Sequence, residues 1–337
     1  MLFFISFICN AQNDSLRIVS IAAVGDIMLG TDFPKNRLPK NDGSALLTEV
    51  DDILASHDLT IGNLEGVLLN GGKPKKKCKD STLCYLFRTP TRFVKNLEKS
   101  GFDFISLANN HSHDFGEAGA DTTQKYLRNA GIQYSGVFNT FGFKKVNDIK
   151  VAFAAFAPHS NCNPMLDSIF VGNTINKLKK ENDILIVSFH GGKEGLDAMN
   201  VADSMEMFYG EERGNVYQFA HSAIDAGADL VIGHGPHVPR SIELYKNKLI
   251  AYSLGNFCTY EGFSLGAAKG IAPLLSVNID DKGNFINGKI ISCLQKRPKG
   301  PVPDDSNKAA RLIKKLSKED FPNSALLIFD DGRIERK

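Results

Sequence analysis

Short apolar runs alternate with segments of helical periodicity along most of the chain. The apolar runs predict buried strands at residues 17–25, 58–66, 102–111, 150–158, 183–192 and 228–235. The periodic segments predict helices at residues 45–57, 89–101, 116–131, 173–182 and 215–227. In the second of these helices, Thr89 is the expected N-cap and Pro90 the first helical residue. Strands that alternate with helices indicate βαβ units and a mainly parallel sheet, and strands without polar alternation indicate a sheet covered on both faces.

The C-terminal part of the chain has a pattern richer in strands. Apolar runs at residues 240–245, 248–257, 272–280 and 283–292 predict hairpin-like strands, which would form an antiparallel addition to the sheet. The segment 301–337 is predicted to be a C-terminal appendage, with a helix at 307–317 and a strand at 325–329. We therefore expect one main α/β domain over residues 17–295.

Composition sets limits on the class of protein. A chain of 337 residues with 42% hydrophobic residues can build a full core. Its 40 basic and 38 acidic residues leave a net charge of +2, whereas nucleic-acid binders usually show a strong basic excess. We therefore expect no nucleic-acid partner. The basic run at residues 73–79 is interpreted as a solvated loop.

The N-terminal residues indicate the compartment. Residues 1–12, MLFFISFICNAQ, are largely apolar and resemble the end of a secretory signal with a small-residue cleavage site. Lipidation of Cys9 is the alternative, although SFIC is a poor match to a lipobox. No later segment approaches the ~20 apolar residues of a membrane-spanning helix. We expect an exported protein in the periplasm, at the cell surface or secreted.

The cysteines fit an oxidising compartment. Cys78 and Cys84 lie in one polar loop and could close a small disulfide. Cys162, Cys258 and Cys293 are scattered, and they are interpreted as buried thiols or as members of a second bridge.

Polar side chains cluster where the predicted strands end. Ligands of open α/β sheets bind beyond the carboxyl ends of the strands. Five strand ends carry carboxylate, amide or imidazole groups: Asp26; Asn63 and Glu65; Asn109, Asn110, His111, His113 and Asp114; His190 and Glu194; His234 and His237. Such oxygen and nitrogen donors suit Mn²⁺, Fe or Zn²⁺. His234 and His237 are therefore predicted to be metal ligands, held by a turn that Pro236 stiffens.

Six motifs occur in an order that resembles a known family. They are GDIMLG, NLEG, NNHSHDFG, HGGKE, GHGPHV and YSLGNF. Together they resemble the bacterial capsule synthesis proteins of the poly-γ-glutamate capsule family, which is related to calcineurin-like metallophosphoesterases. The resemblance runs from about Val19 to Phe257. It implies a four-layer α/β/β/α sandwich of mixed sheets.

The resemblance also implies a metal site. The positions that match the phosphoesterase ligands are Asp26, Asn63, Glu65, Asn110, His190, His234 and His237. Met28 stands where the phosphoesterase pattern has a histidine, the NLE turn replaces a bridging aspartate, and Gly191-Gly192 stands where the capsule family often has tryptophan. One or two divalent ions, of Mn, Zn or Fe, are therefore expected.

Three functions remain open from the sequence. The first is a metal-dependent extracytoplasmic hydrolase or transferase of capsule or poly-γ-glutamate biosynthesis, with His111 and His190 as catalytic residues. The second is a calcineurin-like phosphodiesterase or phosphatase, and the third is a non-catalytic partner in a membrane-bound capsule synthase or export complex. The expected substrate is an anionic polymer or a phosphoester. The residues expected to bind it are Arg88, Asn109, His113, Glu194 and Asn256, with Lys193 as a further candidate. For Arg88 and Lys193, a surface salt bridge is an alternative of nearly equal weight.

Overall fold

The computed structural model describes residues 17–76 and 84–337. The predicted secretory segment 1–12 and Cys78 lie outside the described residues. In chain order the strands are β1 (Ile18–Met28), β2 (Leu59–Leu64), β3 (Val67–Leu68), β4 (Arg88–Thr89), β5 (Phe104–Ser106), β6 (Gln133–Ser135), β7 (Gly142–Val146), β8 (Ile149–Phe156), β9 (Ile184–His190), β10 (Glu206–Phe208), β11 (Glu211–Gly214), β12 (Leu230–His234), β13 (Ile242–Tyr245), β14 (Lys248–Ala251), β15 (Asn256–Thr259), β16 (Ile271–Asp280), β17 (Phe285–Lys296), β18 (Gly300–Pro303), β19 (Leu326–Ile328) and β20 (Arg333–Arg336). The α-helices are α1 (Asp51–Ala55), α2 (Val94–Lys99), α3 (Gly116–Asn129), α4 (Ser168–Glu181), α5 (Val216–Asp225) and α6 (Lys308–Asp320).

Two mixed sheets form the centre of the molecule. The first has ten strands, in the order β19-β20-β17-β16-β1-β2-β5-β6, with β15 paired to β1 and β18 paired to β17. The second has six strands, in the order β13-β14-β12-β9-β8-β7. In the first sheet, β1, β2, β5 and β6 pair in parallel out to one edge, and the strands from β16 outward pair antiparallel on the other side. In the second sheet, the parallel strands lie in the middle and β13 and β7 pair antiparallel at the two edges.

The hydrophobic core has three parts, which separate four layers. One cluster joins the facing sides of the two sheets, with β1, β2 and β5 on one side and β8, β9 and β12 on the other. A second cluster lies between the outer face of the first sheet and helices α1, α2 and α3. A third lies between the outer face of the second sheet and helices α4 and α5. The predicted α/β/β/α arrangement of mixed sheets is therefore confirmed.

The tail from residue 301 continues the first sheet. The predicted helix and last strand are present as α6 and β19, and β20 pairs with β17. Ala309 and Ile313 of α6 and Ile334 of β20 are fully buried in the cluster between the sheets. The segment thus contributes to the main core.

The segment predicted as one strand at 248–257 is two strands in different sheets. β14 belongs to the second sheet, whereas β15 pairs in parallel with β1 in the first. The chain crosses at Gly255, which has a φ of +60° and whose carbonyl accepts a hydrogen bond of 2.8 Å from the Asp26 amide. Apolar character alone predicted a strand, but it could not show that a glycine in a left-handed conformation divides it.

Two helices are shorter than predicted. The region 45–57 contains helix only as α1, and α2 begins at Val94 after a 3-10 turn over Thr91–Phe93. Thr89 lies in β4, and Pro90 has extended backbone angles, because this part of the chain pairs with β3. Among residues 17–76 and 84–337, no helix has the length and apolar character needed to cross a membrane.

Candidate metal centre

The two sheets bring their parallel strand ends together at one place. Asp26 of β1 pairs in register with Asn63 of β2, and in the other sheet His190 of β9 pairs with His234 of β12. Glu65 follows β2 directly, and its amide donates a 2.9 Å hydrogen bond to the Ile27 carbonyl. Because the sheets face each other, carboxylates from one meet imidazoles from the other.

A compact cluster results from this meeting. One ligand atom each of Asp26, Glu65 and His190 lies within 4.8 Å of the others, and all three residues are buried. Glu65 Oε1 lies 2.6 Å from His190 Nε2. This is the length of a hydrogen bond, whereas two ligands of one ion lie about 3 to 4 Å apart because their bonds to it are about 2.0 to 2.2 Å long. A shared ion would therefore replace this hydrogen bond, and only a small separation of the two side chains is needed.

Asp26 is the hub of the cluster. Its Oδ1 accepts a hydrogen bond of 2.9 Å from Asn63 Nδ2, and its Oδ2 lies 3.0 Å from His237 Nδ1. His234 Nδ1 lies 3.4 Å from Asp26 Oδ1. Burial would raise the pKa of Asp26, but the adjacent His234 and His237 hold that pKa below its ordinary value. Asp26 is therefore an ionised carboxylate.

The pKa values of the neighbouring groups are shifted by burial and by the same charges. Burial and the negative charge of Asp26 raise the pKa of Glu65 to about 8. Burial would lower the pKa of His237, but the carboxylates around it raise that pKa to about 10. Burial lowers the pKa of His190 well below its usual range, and the charge of Arg213 acts in the same direction. His190 is therefore neutral, which is the form that binds metals.

Several buried side-chain atoms of the predicted metal ligands have no hydrogen-bond partner among the described residues. These atoms are Glu65 Oε2, Asn110 Oδ1, His190 Nδ1, and both ring nitrogens of His234. Buried polar atoms are nearly always paired, so a group of unpaired ones indicates an absent partner. Carboxylate, amide and imidazole donors are the set that a divalent transition ion takes, and the residues therefore fit such an ion.

The turn after β12 holds its histidines in a strained geometry. Gly235 has a φ of +112° and His237 a φ of +57°, which a non-glycine residue rarely adopts. Asn256 Nδ2 donates a 3.2 Å hydrogen bond to the His237 carbonyl. Strained backbone of this kind persists where surrounding contacts enforce it, and it often marks functional sites. The turn thus directs His237 towards Asp26.

A further histidine, His111, is oriented by a buried carboxylate. His111 Nδ1 lies 2.9 Å from Asp114 Oδ2, and its ring packs on Phe87 with the centroids 4.4 Å apart. Asp114 is fully buried and forms an ion pair of 3.2 Å with Lys76. The carboxylate accepts a hydrogen bond from Nδ1–H, so Nε2 is left for other partners. Burial lowers the pKa of His111.

Asn109 connects this histidine to the cluster. Its Nδ2 donates to Asn63 Oδ1 at 3.1 Å and to the Leu64 carbonyl at 2.9 Å, and its Oδ1 accepts from the His111 amide at 3.0 Å. Its amide is therefore engaged within the protein. These contacts position Asn109 between Asn63 and His111, and its predicted substrate contact stays a prediction.

Arg88 joins neighbouring loops. Its Nε lies 2.6 Å from Asp32 Oδ1, and its Nη1 donates to the Gly72 carbonyl at 2.7 Å. Its guanidinium also packs against the rings of Phe33 and Phe115. The ion pair with Asp32 agrees with the salt-bridge interpretation of Arg88, and its binding to substrate stays a prediction.

His113 contacts residues close to it in the chain. Its Nδ1 lies 3.1 Å from Ser112 Oγ, and its Nε2 lies 3.8 Å from Glu117 in helix α3. Its predicted substrate contact stays a prediction. Lys193 is also engaged, since its Nζ lies 2.7 Å from Asp197.

Glu194 and Asn256 do lie beside the predicted ligands. Glu194 Oε2 is 3.7 Å from His237 Nε2, and its Oε1 accepts a 3.0 Å hydrogen bond from Arg213. Asn256 pairs in register with Asp26, and its Oδ1 is buried without a hydrogen-bond partner. Both predicted roles in substrate binding remain predictions.

The sequence reasoning missed two residues, Arg213 and His159. His159 follows β8 and has a buried Nε2 without a partner, and its ring centroid is 6.2 Å from that of His190. Applying the strand-end rule to β8 would have identified it. Arg213 lies in the β10–β11 hairpin, for which the sequence contained no strand-end signal.

The cysteines fall partly within the described residues. Cys84 is disulfide-bonded, and its predicted partner Cys78 lies outside the described residues, so that pairing stays a prediction. Cys162, Cys258 and Cys293 are free and buried, which agrees with the interpretation as buried thiols.

Comparison with known proteins gives consistent relatives. The model of the family described as bacterial capsule synthesis protein PGA_cap matches residues 20–261. The capsule biosynthesis protein CapA of Bacillus anthracis is 28% identical over 97% of this chain and 78% of its own length. The PGA biosynthesis protein CapA of Bacillus subtilis strain 168 is 28% identical over 94% of this chain and 82% of its own length. Among solved structures, the calcineurin-like phosphoesterase YfkN from Bacillus subtilis is 15% identical, with a TM-score of 0.46 over 82% of this chain and 91% of that one.

Proposed function

We propose, from the premise that this chain belongs to the bacterial capsule synthesis protein family, that it is a metal-dependent hydrolase or transferase of a cell-envelope polymer. The observation that carries the proposal is the buried cluster of Asp26, Glu65 and His190, whose ligand atoms converge and are partly unpaired. A group of this kind is costly to bury and is typical of a functional centre.

The names of the relatives support the choice of substrate class. The two Bacillus relatives are named for capsule biosynthesis and for PGA biosynthesis. We infer that the substrate here is an anionic polymer of the poly-γ-glutamate type. Arg213 lies beside the cluster, and its positive charge suits an anionic substrate.

Each ligand has a defined part in holding a divalent ion. Asp26 supplies an ionised carboxylate and His190 a neutral imidazole, while His234 and Glu65 supply buried ligand atoms that have no hydrogen-bond partner among the described residues. A bound Mn, Zn or Fe ion would supply Lewis acidity and a more acidic water. Asn63 and Asn109 keep the first-sheet ligands in place through consecutive hydrogen bonds.

His111 is suited to transfer a proton during cleavage of the substrate bond. Asp114 accepts a hydrogen bond from Nδ1–H, which leaves the lone pair of the neutral ring on Nε2. Nε2 can therefore take a proton from the attacking water, and the imidazolium that forms beside Asp114 can then give that proton to a leaving amine or alcohol. Lys76 pairs with Asp114 and holds the carboxylate in place. This arrangement is the positioned acid that cleavage or transfer of an amide bond requires.

We propose an extracytoplasmic location, alongside a membrane-bound capsule synthase complex. The support is the apolar secretory-like segment 1–12 and the family membership. Fractionation of cells that express the full chain checks the location, and recovery only in the cytosol would refute it.

The test of activity uses metal-reconstituted protein with Mn²⁺ or Zn²⁺ and purified poly-γ-glutamate. We expect new amino termini or a change in chain length with wild type and with Glu49→Gln, an exposed control, but none with Glu65→Gln. A generic phosphodiester such as bis-p-nitrophenyl phosphate is run in parallel. Turnover of the phosphodiester alone, or of neither compound by fully metallated protein, would overturn the proposal.

A further inference from the structure

Arg213 carries two donors that nothing in the described part of the chain accepts. The residue is only 2% exposed. Its Nη1 donates a 3.0 Å hydrogen bond to Glu194 Oε1, while Nε and Nη2 are buried without a partner. Nε and Nη2 form one edge of the guanidinium, and their N–H bonds are parallel. This edge is the fork that binds both oxygens of a carboxylate or phosphate.

The position of Arg213 is fixed by backbone contacts next to a predicted ligand. The amide of Gly192, two residues after His190, donates a 2.8 Å hydrogen bond to the Arg213 carbonyl. Glu194 then sets the direction of the guanidinium by binding Nη1. The open fork is therefore held in one orientation beside the cluster.

The hairpin that carries Arg213 is itself anchored. Glu206 in β10 is bound through both oxygens by the fully buried Arg240, at 2.8 and 2.7 Å. Arg240 follows the His237 turn closely in sequence. The same segment thus presents a predicted ligand and holds the hairpin that delivers Arg213.

His159 adds a second unpaired ring nitrogen next to the cluster. Its Nε2 is buried and has no hydrogen-bond partner among residues 17–76 and 84–337, and the centroid of its ring lies 6.2 Å from that of His190. Burial, followed by the charge of Arg213, lowers the pKa of His159 to about 3, so the ring is neutral. A neutral imidazole can present an N–H at Nε2 to an anion.

We propose that Arg213 and His159 form an anion subsite beside the metal cluster, which binds the two oxygens of a carboxylate or phosphate group of the substrate. The subsite rests on the proposed function for its biological role, because it would place an anionic polymer or phosphoester against the ligands. Its binding property can be tested separately. The fork edge of Arg213 gives the recognition, Glu194 orients it, and His159 supplies the third donor.

The experiment measures binding by calorimetry to the metal-reconstituted full chain, with inorganic phosphate and glutarate as separate probes. Arg213→Lys keeps a positive charge but removes the parallel donors, and we expect a loss of about ten-fold or more in affinity for the probe that binds. Arg92→Lys is the matched control, since Arg92 is exposed and pairs with Asp42. We expect Arg92→Lys to bind as wild type does.

Two further readouts separate this proposal from the proposed function. The metal content of Arg213→Lys should equal that of wild type, because Arg213 is not a ligand, and the polymer assay is not needed for either probe. Preference for glutarate indicates a polymer carboxylate, and preference for phosphate indicates a phosphoester; both support the subsite. Unchanged affinity in a folded, fully metallated Arg213→Lys protein would overturn it, as would failure of wild type to bind either probe.

Discussion

Breaking the buried ion pair of Arg240 and Glu206 by removing one partner should strongly destabilise the protein. Arg240 is fully buried, and its guanidinium makes four hydrogen bonds. Two go to Glu206, one to the Ala198 carbonyl at 2.6 Å and one to the Lys193 carbonyl at 3.1 Å. These contacts tie residues 193–214 to the second sheet.

Replacing Arg240 with methionine leaves the Glu206 carboxylate without its cation. Removing one partner of a buried pair costs about 3 to 5 kcal/mol, because the other charge stays buried. For a chain of 337 residues the entropy of unfolding is about 0.7 kcal/mol/K, so the Tm should fall by about 4 to 7 °C. Two backbone carbonyls also lose their donor, which places the expected cost towards the upper end.

The assay is a double-mutant cycle followed by urea and thermal unfolding. We expect Arg240→Met and Glu206→Met each to be strongly destabilised. The double variant should lose clearly less stability than the sum of the two single losses, because no unpaired charge remains in it. Arg92→Met, which breaks an exposed pair with Asp42, should change stability by no more than about 0.5 kcal/mol. A loss below about 1 kcal/mol in Arg240→Met, or additive losses in the cycle, would refute the reasoning.

Further predictions concern the site itself. His111→Ala should reduce turnover by about 10²-fold or more with unchanged metal content, as for a positioned acid, and His113→Ala should have a smaller effect. Equal rate losses in the two variants, measured with the polymer assay, would count against the assignment of His111. Metal at 100 times its Kd should stabilise wild type by about 2.7 kcal/mol, or about 4 °C in Tm. Glu65→Gln should lose this thermal shift while Glu49→Gln keeps it, and a retained shift in Glu65→Gln would remove Glu65 from the ligand set.

The main layers and several cluster residues could be predicted from the sequence because both follow from local patterns. Apolar runs identified the parallel strands, and parallel strands place their carboxyl ends at a common edge. The positions of the strand ends in the sequence therefore predicted that Asp26, His190 and His234 lie close together.

Other features depend on contacts between distant parts of the chain. The passage of residues 248–257 from one sheet to the other follows from the left-handed turn at Gly255 and its pairing with β1. Arg213 reaches the site because Glu206 is bound by Arg240, 34 residues further along the chain. No local periodicity encodes such a pair.

Arg88 shows what residue type leaves open. Its charge allowed either substrate binding or a salt bridge, and the structure shows an ion pair with Asp32 and a hydrogen bond to the Gly72 carbonyl. Residue type predicts what a side chain can bind, whereas only the fold shows which partner is nearest.

The most direct test of the metal centre is the metal content of the full chain after reconstitution and exhaustive dialysis, measured by plasma mass spectrometry. Wild type and Glu49→Gln should retain one or two equivalents of Mn, Zn or Fe, and Asp26→Asn should retain clearly less while staying folded by circular dichroism. If Asp26→Asn kept the same metal content as wild type, or if wild type retained none, the cluster of Asp26, Glu65 and His190 would not be a metal site and the proposed chemistry would be wrong.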